Sequence, residues 1–512
     1  MVKSLLNLCL SAVTQHQLHD DLAKMPAECK RLLLEFFSSH NQLAASDCNR
    51  LVSLPMFNAN IDSLCFYLSD DLNDEMLISL TANNKNLYKI VLVECPGITD
   101  EGIRIMTSNQ KRLCQLELRA MRQLTDEALA FIRSPFLYSV DLSGCTKITS
   151  EGVDGLLQKN PSIACLYLNH CSALDDRSLY TIADNVGKRL RILELDFLSE
   201  LTNPSESLQY LSSHCPNLSQ LSIARFFHEE YVDAPCVIDG LNLKDVDLYA
   251  NYFTIPPILP HCVTSLRLSV SGEENPYELV RSLGEHQFLT SINLLVTVRE
   301  YNLTAIDNVN ALLCVILPFL GVKITKLQIS VPRLYEDSLS LLIDCTPNLT
   351  HLSLDVTHLS TSLLQKYFTG GAKSRASKLR SLRICKMRIT YRALFAIARG
   401  ARNLTDIETS HMSSVDDRFI CLLAGNCRHL KTVNINGCKW VSDKGLIWLA
   451  KKCPLKEVRM RGTSCTDKSL YMLGQFCPQL EWISYADYSG KPRFTEPALQ
   501  YLRDNCIQKV IC

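Results

Sequence analysis

The sequence predicts an α/β fold, a right-handed horseshoe solenoid of short strand–helix units preceded by a small N-terminal α-helical module. Three observations predict it. An apolar frame, with a Leu or Ile two residues before another apolar residue, recurs as Leu87 to Leu92, Leu113 to Leu118, Leu137 to Leu142 and Ile163 to Leu168, at intervals of 26, 24 and 26 residues. Inside each frame the apolar residues alternate, as in a half-buried strand. Behind it the spacing turns helical, as in Gly445-Leu446-Ile447-Trp448-Leu449-Ala450.

The last apolar position of the frame recurs at Phe66, Leu92, Leu118, Leu142, Leu168, Leu195, Ile223, Leu248 and Leu268, and on through Leu294, Ile329, Leu354, Ile384, Thr409, Ile435, Met460 and Tyr485. A strand plus a helix at this period is the leucine-rich-repeat signature. One unit cannot bury its own apolar face, so the units stack and their strands line a concave side. Such a shape offers a binding surface and no ready catalytic pocket.

Taken in order, residues 1–60 fall outside the repeat and predict three short helices, at about Ser4 to Gln15, Pro26 to Ser39 and Ala44 to Val52. Residues 61–490 form the array and 491–512 a C-terminal cap over the last apolar face. In the middle the register loosens. The step from Leu248 to Leu268 is short, that from Leu294 to Ile329 is long, and the segment Gly370 to Ser377 has the composition of an inserted surface loop.

Charge balances at 53 basic against 53 acidic residues, which removes the electrostatic case for nucleic acid or an anionic membrane as main partner. The apolar run Leu312 to Val322, broken by Pro318, is about half the length of a membrane span. The 23 cysteines are odd in number and no two lie closer than six residues, so they form no C-x-x-C pair of a zinc site, and no metal or cofactor is expected. Several hold fixed places, with Cys95, Cys145, Cys171 and Cys438 three residues behind the last strand position. They read as core thiols of a reducing compartment, in the absence of a secretory leader, and place the protein in the cytoplasm, the nucleus or both. No phosphate loop, H-E-x-x-H or G-x-S-x-G occurs, and the expectation is a protein that is not an enzyme.

Repeats such as Leu142-Ser143-Gly144-Cys145 and Ile435-Asn436-Gly437-Cys438 resemble those of F-box and related substrate receptors of cullin-RING ubiquitin ligases. The segment Ser4-Leu5-Leu6-Asn7-Leu8-Cys9-Leu10-Ser11-Ala12-Val13 resembles the BC-box of elongin-binding proteins. Leu5, Leu8, Cys9, Ala12 and Val13 share one face of a helix, the form that docks in an apolar groove. The resemblance implies that Ser4, Leu5, Leu8, Cys9 and Val13 contact elongin C, which carries elongin B. Met25-Pro26-Ala27-Glu28-Cys29 is similar to a cullin-2 box, with Met25, Pro26 and Cys29 as the implied cullin contacts. Together these features are similar to ZYG-type receptors of cullin-2 ligases, although those continue into an armadillo-like region and this chain keeps repeating. Two alternatives stay open. Met25 to Glu28 followed by Leu34, Phe36 and Phe37 also resembles the opening of an F-box, which would bind a Skp-type adaptor. A third reading is a scaffold that binds proteins and meets no ligase.

Residues flanking the last apolar position point away from the helices. In the first half of the array they include Glu117, Asp141, Tyr167, Glu194, Asp196, Asp247 and Tyr249, and later Arg383, Asn434, Asn436, Arg459 and Arg461. The expectation is a concave face acidic at one end and basic at the other, whose acidic stretch captures a basic segment of a protein substrate.

Overall fold

Every apolar frame becomes a strand. The computed structural model of the chain describes residues 26–39, 61–82, 84–108, 110–227, 232–233, 235–238, 242–270, 274–296, 303–484 and 494–506. Its strands are β1 (Ser63–Tyr67), β2 (Lys89–Val93), β3 (Gln115–Arg119), β4 (Ser139–Asp141), β5 (Cys165–Tyr167), β6 (Ile192–Glu194), β7 (Gln220–Ser222) and β8 (Asp245–Leu248). They continue as β9 (Ser265–Val270), β10 (Ser291–Val296), β11 (Lys326–Ser330), β12 (His351–Asp355), β13 (Ser381–Ile384), β14 (Asp406–Glu408), β15 (Thr432–Asn434), β16 (Glu457–Arg459) and β17 (Trp482–Ser484). Two compact units divide between Val263 and Thr264, the first holding β1–β8 and the second β9–β17.

Within each unit neighbouring strands are parallel and the repeat frame stacks on itself. Phe66 pairs with Leu92 and Leu92 with Leu118 in one unit. Leu268, Leu294, Ile329, Leu354 and Ile384 pair in succession in the other. All of these side chains are buried. A parallel neighbour requires a crossover, and most crossovers carry a helix whose apolar stripe covers the strands from one side.

Three periodic devices link one repeat to the next. The first is an aspartate at a helix start that accepts from the hydroxyl capping the following helix: Asp100 from Thr125, Asp126 from Thr149, Asp417 from Ser442 and Asp443 from Thr466, each at 2.6 Å. Gly445 is small for this reason, since a Cβ there would stand 2.6 Å from Asp417 Oδ1. The second is a thiol that donates to the carbonyl of the previous frame, Cys145 to Leu118 at 2.9 Å, Cys171 to Leu142 at 3.1 Å and Cys438 to Thr409 at 3.0 Å. Burial pushes the Cys145 and Cys171 thiols up to about 12, so these groups stay protonated and pack. Every described cysteine is a free thiol.

The third device is a left-handed residue two positions behind the frame, at Leu68, Glu94, Ala120, Gly144, His170, Phe197, Arg225 and Ala250, and again at Lys386, His411, Gly437 and Gly462. Its N–H extends the parallel ladder past the strand, as Ala120 to Ser143 O at 2.7 Å and His411 to Asn436 O at 2.7 Å. Behind β9–β12 the same place holds Val270, Val296, Val331 and Val356, none with positive φ. A β-branched residue resists that conformation, and β9 and β10 run on through their valines as six-residue strands.

Several sequence expectations shift. The segment Gly370 to Ser377 is no open loop: Gly370–Ala372 forms a 3-10 turn and Lys373–Ala376 a helical turn. Ala376 is buried there, and the Arg375 guanidinium donates to Ile343 O at 2.7 Å and Asp344 O at 3.1 Å, capping the helix Glu336–Cys345. The long step holds the helix Leu303–Leu320, of 18 residues and mean hydropathy 1.8, long and apolar enough to cross a membrane. Half of it is buried, and it packs against the helices Pro276–Gly284 and Glu336–Cys345. The apolar run understated it, because Asn310, Asn308 and Asp307 interrupt the run without interrupting the helix. The short step before Leu268 leaves no room for a helix, and isolated bridges Val232 with Phe253 and Val237 with Ile258 take its place. Of the three N-terminal helices, the described one is Ala27–Ser39, which buries Leu33 and Leu34, packs on β1 and meets the turn behind that strand through Ser38 Oγ and Ser69 Oγ at 2.6 Å. The other two lie outside the described residues, as does Tyr485. Behind β17 the helix Glu496–Asn505 covers the helix Asp467–Phe476, with Tyr471 and Tyr501 ring to ring at 5.1 Å.

Candidate binding surface on the strand faces

Strand register, and not proximity in sequence, assembles the surface. One row stands one residue before the last apolar position and a second stands three before it, both on the face opposite the helices. In the first unit the nearer row brings together Glu117, Asp141, Tyr167 and Glu194 on β3–β6, then Ser222 on β7 and Asp247 on β8. Asp196 and Tyr249 lie two residues further along, where the chain leaves β6 and β8. All of the expected acidic residues therefore share one face.

Within this row the electrostatic stress falls on Glu194. At its start two carboxylates are paired, Glu117 with Lys89 at 3.6 Å and Asp141 with Arg119 at 3.5 Å. Further on, none of Tyr167, Glu194, Ser222 and Asp247 is a cation. Burial raises Glu194 above the usual carboxylate range, the Asn169 amide donating at 2.7 Å opposes it, and the Asp196, Asp141 and Asp247 charges add to it. Burial also raises Asp196, against hydrogen bonds from Ser222 Oγ and Ala224 N–H, each at 2.7 Å. The Tyr167 hydroxyl is pushed up to about 12 by burial and by Cys165, Glu194 and Asp141.

The second unit is built differently. Its two rows over β9–β13 are Ser265 and Arg267, Ser291 and Asn293, Lys326 and Gln328, His351 and Ser353, Ser381 and Arg383. No carboxylate stands among these ten. Carboxylates return on β14 with Asp406 and Glu408 and on β16 with Glu457. There the expected basic residues are engaged: Arg383 pairs with Glu408 at 3.6 Å, and Arg459 with Glu457 at 2.6 Å while lying over the Trp482 ring at 4.7 Å. Asn434 uses its side-chain oxygen to hold Asn436 N–H at 3.1 Å. Arg461 is exposed just past β16. An open groove of about 670 Å³ runs along this face, lined by residues of β9–β16. Sequence reasoning misses Lys326 and His351 because they stand three residues before the last apolar position and not beside it; Gln328 and Ser353 do flank that position, but an amide and a hydroxyl there give no charge signal.

Of the expected adaptor contacts, Ser4, Leu5, Leu8, Cys9, Val13 and Met25 lie outside the described residues. Pro26 is exposed, and its carbonyl accepts from Cys29 N–H at 3.0 Å to open the helix Ala27–Ser39; the Cys29 side chain is half-buried. Among the described residues, no group of three or more His, Cys, Asp or Glu side chains is placed to hold a metal ion.

A family model described as a leucine-rich repeat matches residues 133–157 and 426–450, which take in β4 and β15 and all but the last two residues of the helices Ser150–Lys159 and Asp443–Lys452. These units are leucine-rich repeats. No curated protein matches the chain. Among solved structures, the leucine-rich-repeat chain is similar to one from the crystal structure of the Rad7 and Elc1 complex in yeast, at 16% identity over 99% of this chain and 98% of that one, with a TM-score of 0.41. It is also similar to a chain of the TLR13–ssRNA13 complex, at 12% identity, 89% and 62% coverage and a TM-score of 0.36. A third likeness is to the leucine-rich-repeat-containing protein LegL7 from Legionella pneumophila, at 15% identity, 74% and 93% coverage and a TM-score of 0.28.

Proposed function

We propose that this leucine-rich-repeat chain is the substrate-recognition subunit of an elongin BC and cullin-2 ubiquitin ligase, holding a target protein on its strand faces. The observation that carries the binding role is the carboxylate row Glu117, Asp141, Glu194 and Asp247, aligned by strand register, in which Glu194 is kept half-buried beside other carboxylates at a cost in electrostatic free energy. A fold retains such a cost where a partner relieves it, and here the relief comes from a basic segment of the substrate. Ligase attachment rests on the BC-box resemblance of Ser4 to Val13 and the cullin-box resemblance of Met25 to Cys29. The chain performs no chemistry of its own. It raises the effective concentration of substrate lysines near the conjugating enzyme that the ligase recruits. Such a subunit works in the cytoplasm, the nucleus or both.

The test is a pull-down with the full chain and with a Leu5→Ala/Cys9→Ala double variant, probed for elongin C, cullin-2 and a Skp-type adaptor. Elongin C and cullin-2 captured by the native chain and lost with the variant is the expected result. A Skp-type adaptor held by both chains makes the protein an F-box receptor instead, and capture of no adaptor leaves a protein-binding scaffold.

A further inference from the structure

We infer that the strand face of β9–β13 is a second docking surface, and that its occupant is an extended acidic peptide segment with a carboxylate seated at Lys326. This rests on the reading that the strand faces bind protein, but it concerns the other unit and the opposite charge. Lys326 and His351 are direct register partners, as are Gln328 and Ser353, so four polar side chains form a two-by-two patch. The Lys326 ammonium enters no hydrogen bond or ion pair among the described residues, and neither do the side chains of Asn293 and Gln328. Ser353 Oγ is buried without a partner. His351 uses Nδ1 toward Thr350 Oγ1 at 2.8 Å.

Elsewhere on the strand faces the polar groups answer each other, as in Glu117 with Lys89, Asn169 with Glu194 and Arg459 with Glu457. Around Lys326 they do not. Of these groups only Ser353 Oγ is buried, and a buried hydroxyl that finds no partner among the described residues costs free energy that an arriving ligand recovers; the exposed Lys326 ammonium contributes uncompensated positive charge. The chemistry of the missing partner follows from the inventory. Over these five strands the two rows hold three cations, no carboxylate, and otherwise histidine, amides and hydroxyls. Lys326 calls for an anion, while Asn293, Gln328 and Ser353 can both donate and accept, which suits a peptide backbone. Acid borders the patch at Glu408, already engaged by Arg383, at Asp406, which accepts from Thr405 Oγ1 at 2.5 Å, and at Asp355 on the far side of Ser353. These confine the anion to β10–β12. A nucleic acid is disfavoured because neither row holds a Trp, Tyr or Phe over β9–β13 on which a base could stack.

The experiment is a fluorescence-anisotropy titration of a labelled octa-glutamate peptide with the full chain, at low and at physiological salt. The native chain and Lys326→Arg are expected to bind it. Lys326→Glu, a change at an exposed side chain, is expected to bind about tenfold more weakly, with an unaltered circular-dichroism melting curve. Lys147→Glu, at an exposed side chain of the other unit outside its strands, leaves this titration unchanged whichever adaptor the chain binds. No binding by the native chain, equal binding by Lys326→Glu, or equal competition by an oligothymidylate of the same length would overturn the inference.

Discussion

Asp443 shows how much a single side chain contributes. Its carboxylate accepts from Thr466 N–H at 2.8 Å, Thr466 Oγ1 at 2.6 Å and Ser469 Oγ at 2.5 Å. Burial works against the charge, but those bonds outweigh it and hold the carboxyl below its usual range. A depressed carboxyl adds stability that is present above its unfolded pKa and lost as pH falls through the folded one. Asp443→Ala is therefore expected to cost about 1 kcal/mol in urea unfolding near neutral pH, and the loss should shrink in acid below the ordinary carboxylate range. Glu194 has the reverse sign. Its folded pKa is raised, so its ionisation destabilises the fold as pH rises through the ordinary carboxylate range to the folded value. Glu194→Gln keeps an acceptor for Asn169 and removes the charge, so its melting temperature at neutral pH should exceed that of the native chain while basic-peptide binding falls. A lower melting temperature would mean that the carboxylate is structural. These opposite roles were half legible in sequence: position in the frame put Glu194 on the open face, but whether a carboxylate is satisfied depends on partners a repeat away.

At the scale of the element, the seventeen apolar frames coincide with the seventeen strands found among the described residues. Period-two alternation bounded by turns is a local signal, and register between parallel neighbours copies it from unit to unit. What alternation could not show was the exit from each strand. Ala120 occupies the left-handed position with φ at 53°, and Val331 the equivalent place with no positive φ. The account expects Ala120→Gly to stabilise by about 1 kcal/mol and Ala120→Val to destabilise by more, while Val331→Gly destabilises, all read from urea midpoints. Equal effects at the two sites would show that the two exits do not differ. The helical turn at Lys373–Ala376 escaped the sequence reading because Gly370-Gly371 is a strong loop signal, and tertiary burial of Ala376 with the cap from Arg375 overrides it.

Over the whole molecule a net charge of zero conceals segregation, with carboxylates along β3–β8 and cations without carboxylates in the two rows over β9–β13. Balanced composition therefore weakens only the case for a uniformly charged partner, and each face should bind its opposite with an affinity that falls as salt rises. Neither face bears on the proposed attachment to a ligase, which rests on residues 4–29. Isothermal titration of purified elongin B–C into the full chain tests it most directly. Saturable one-to-one binding is expected with the native chain, and its loss in the Leu5→Ala/Cys9→Ala variant with an unchanged melting curve. Absence of heat with the native chain, or undiminished binding by the variant, would contradict it.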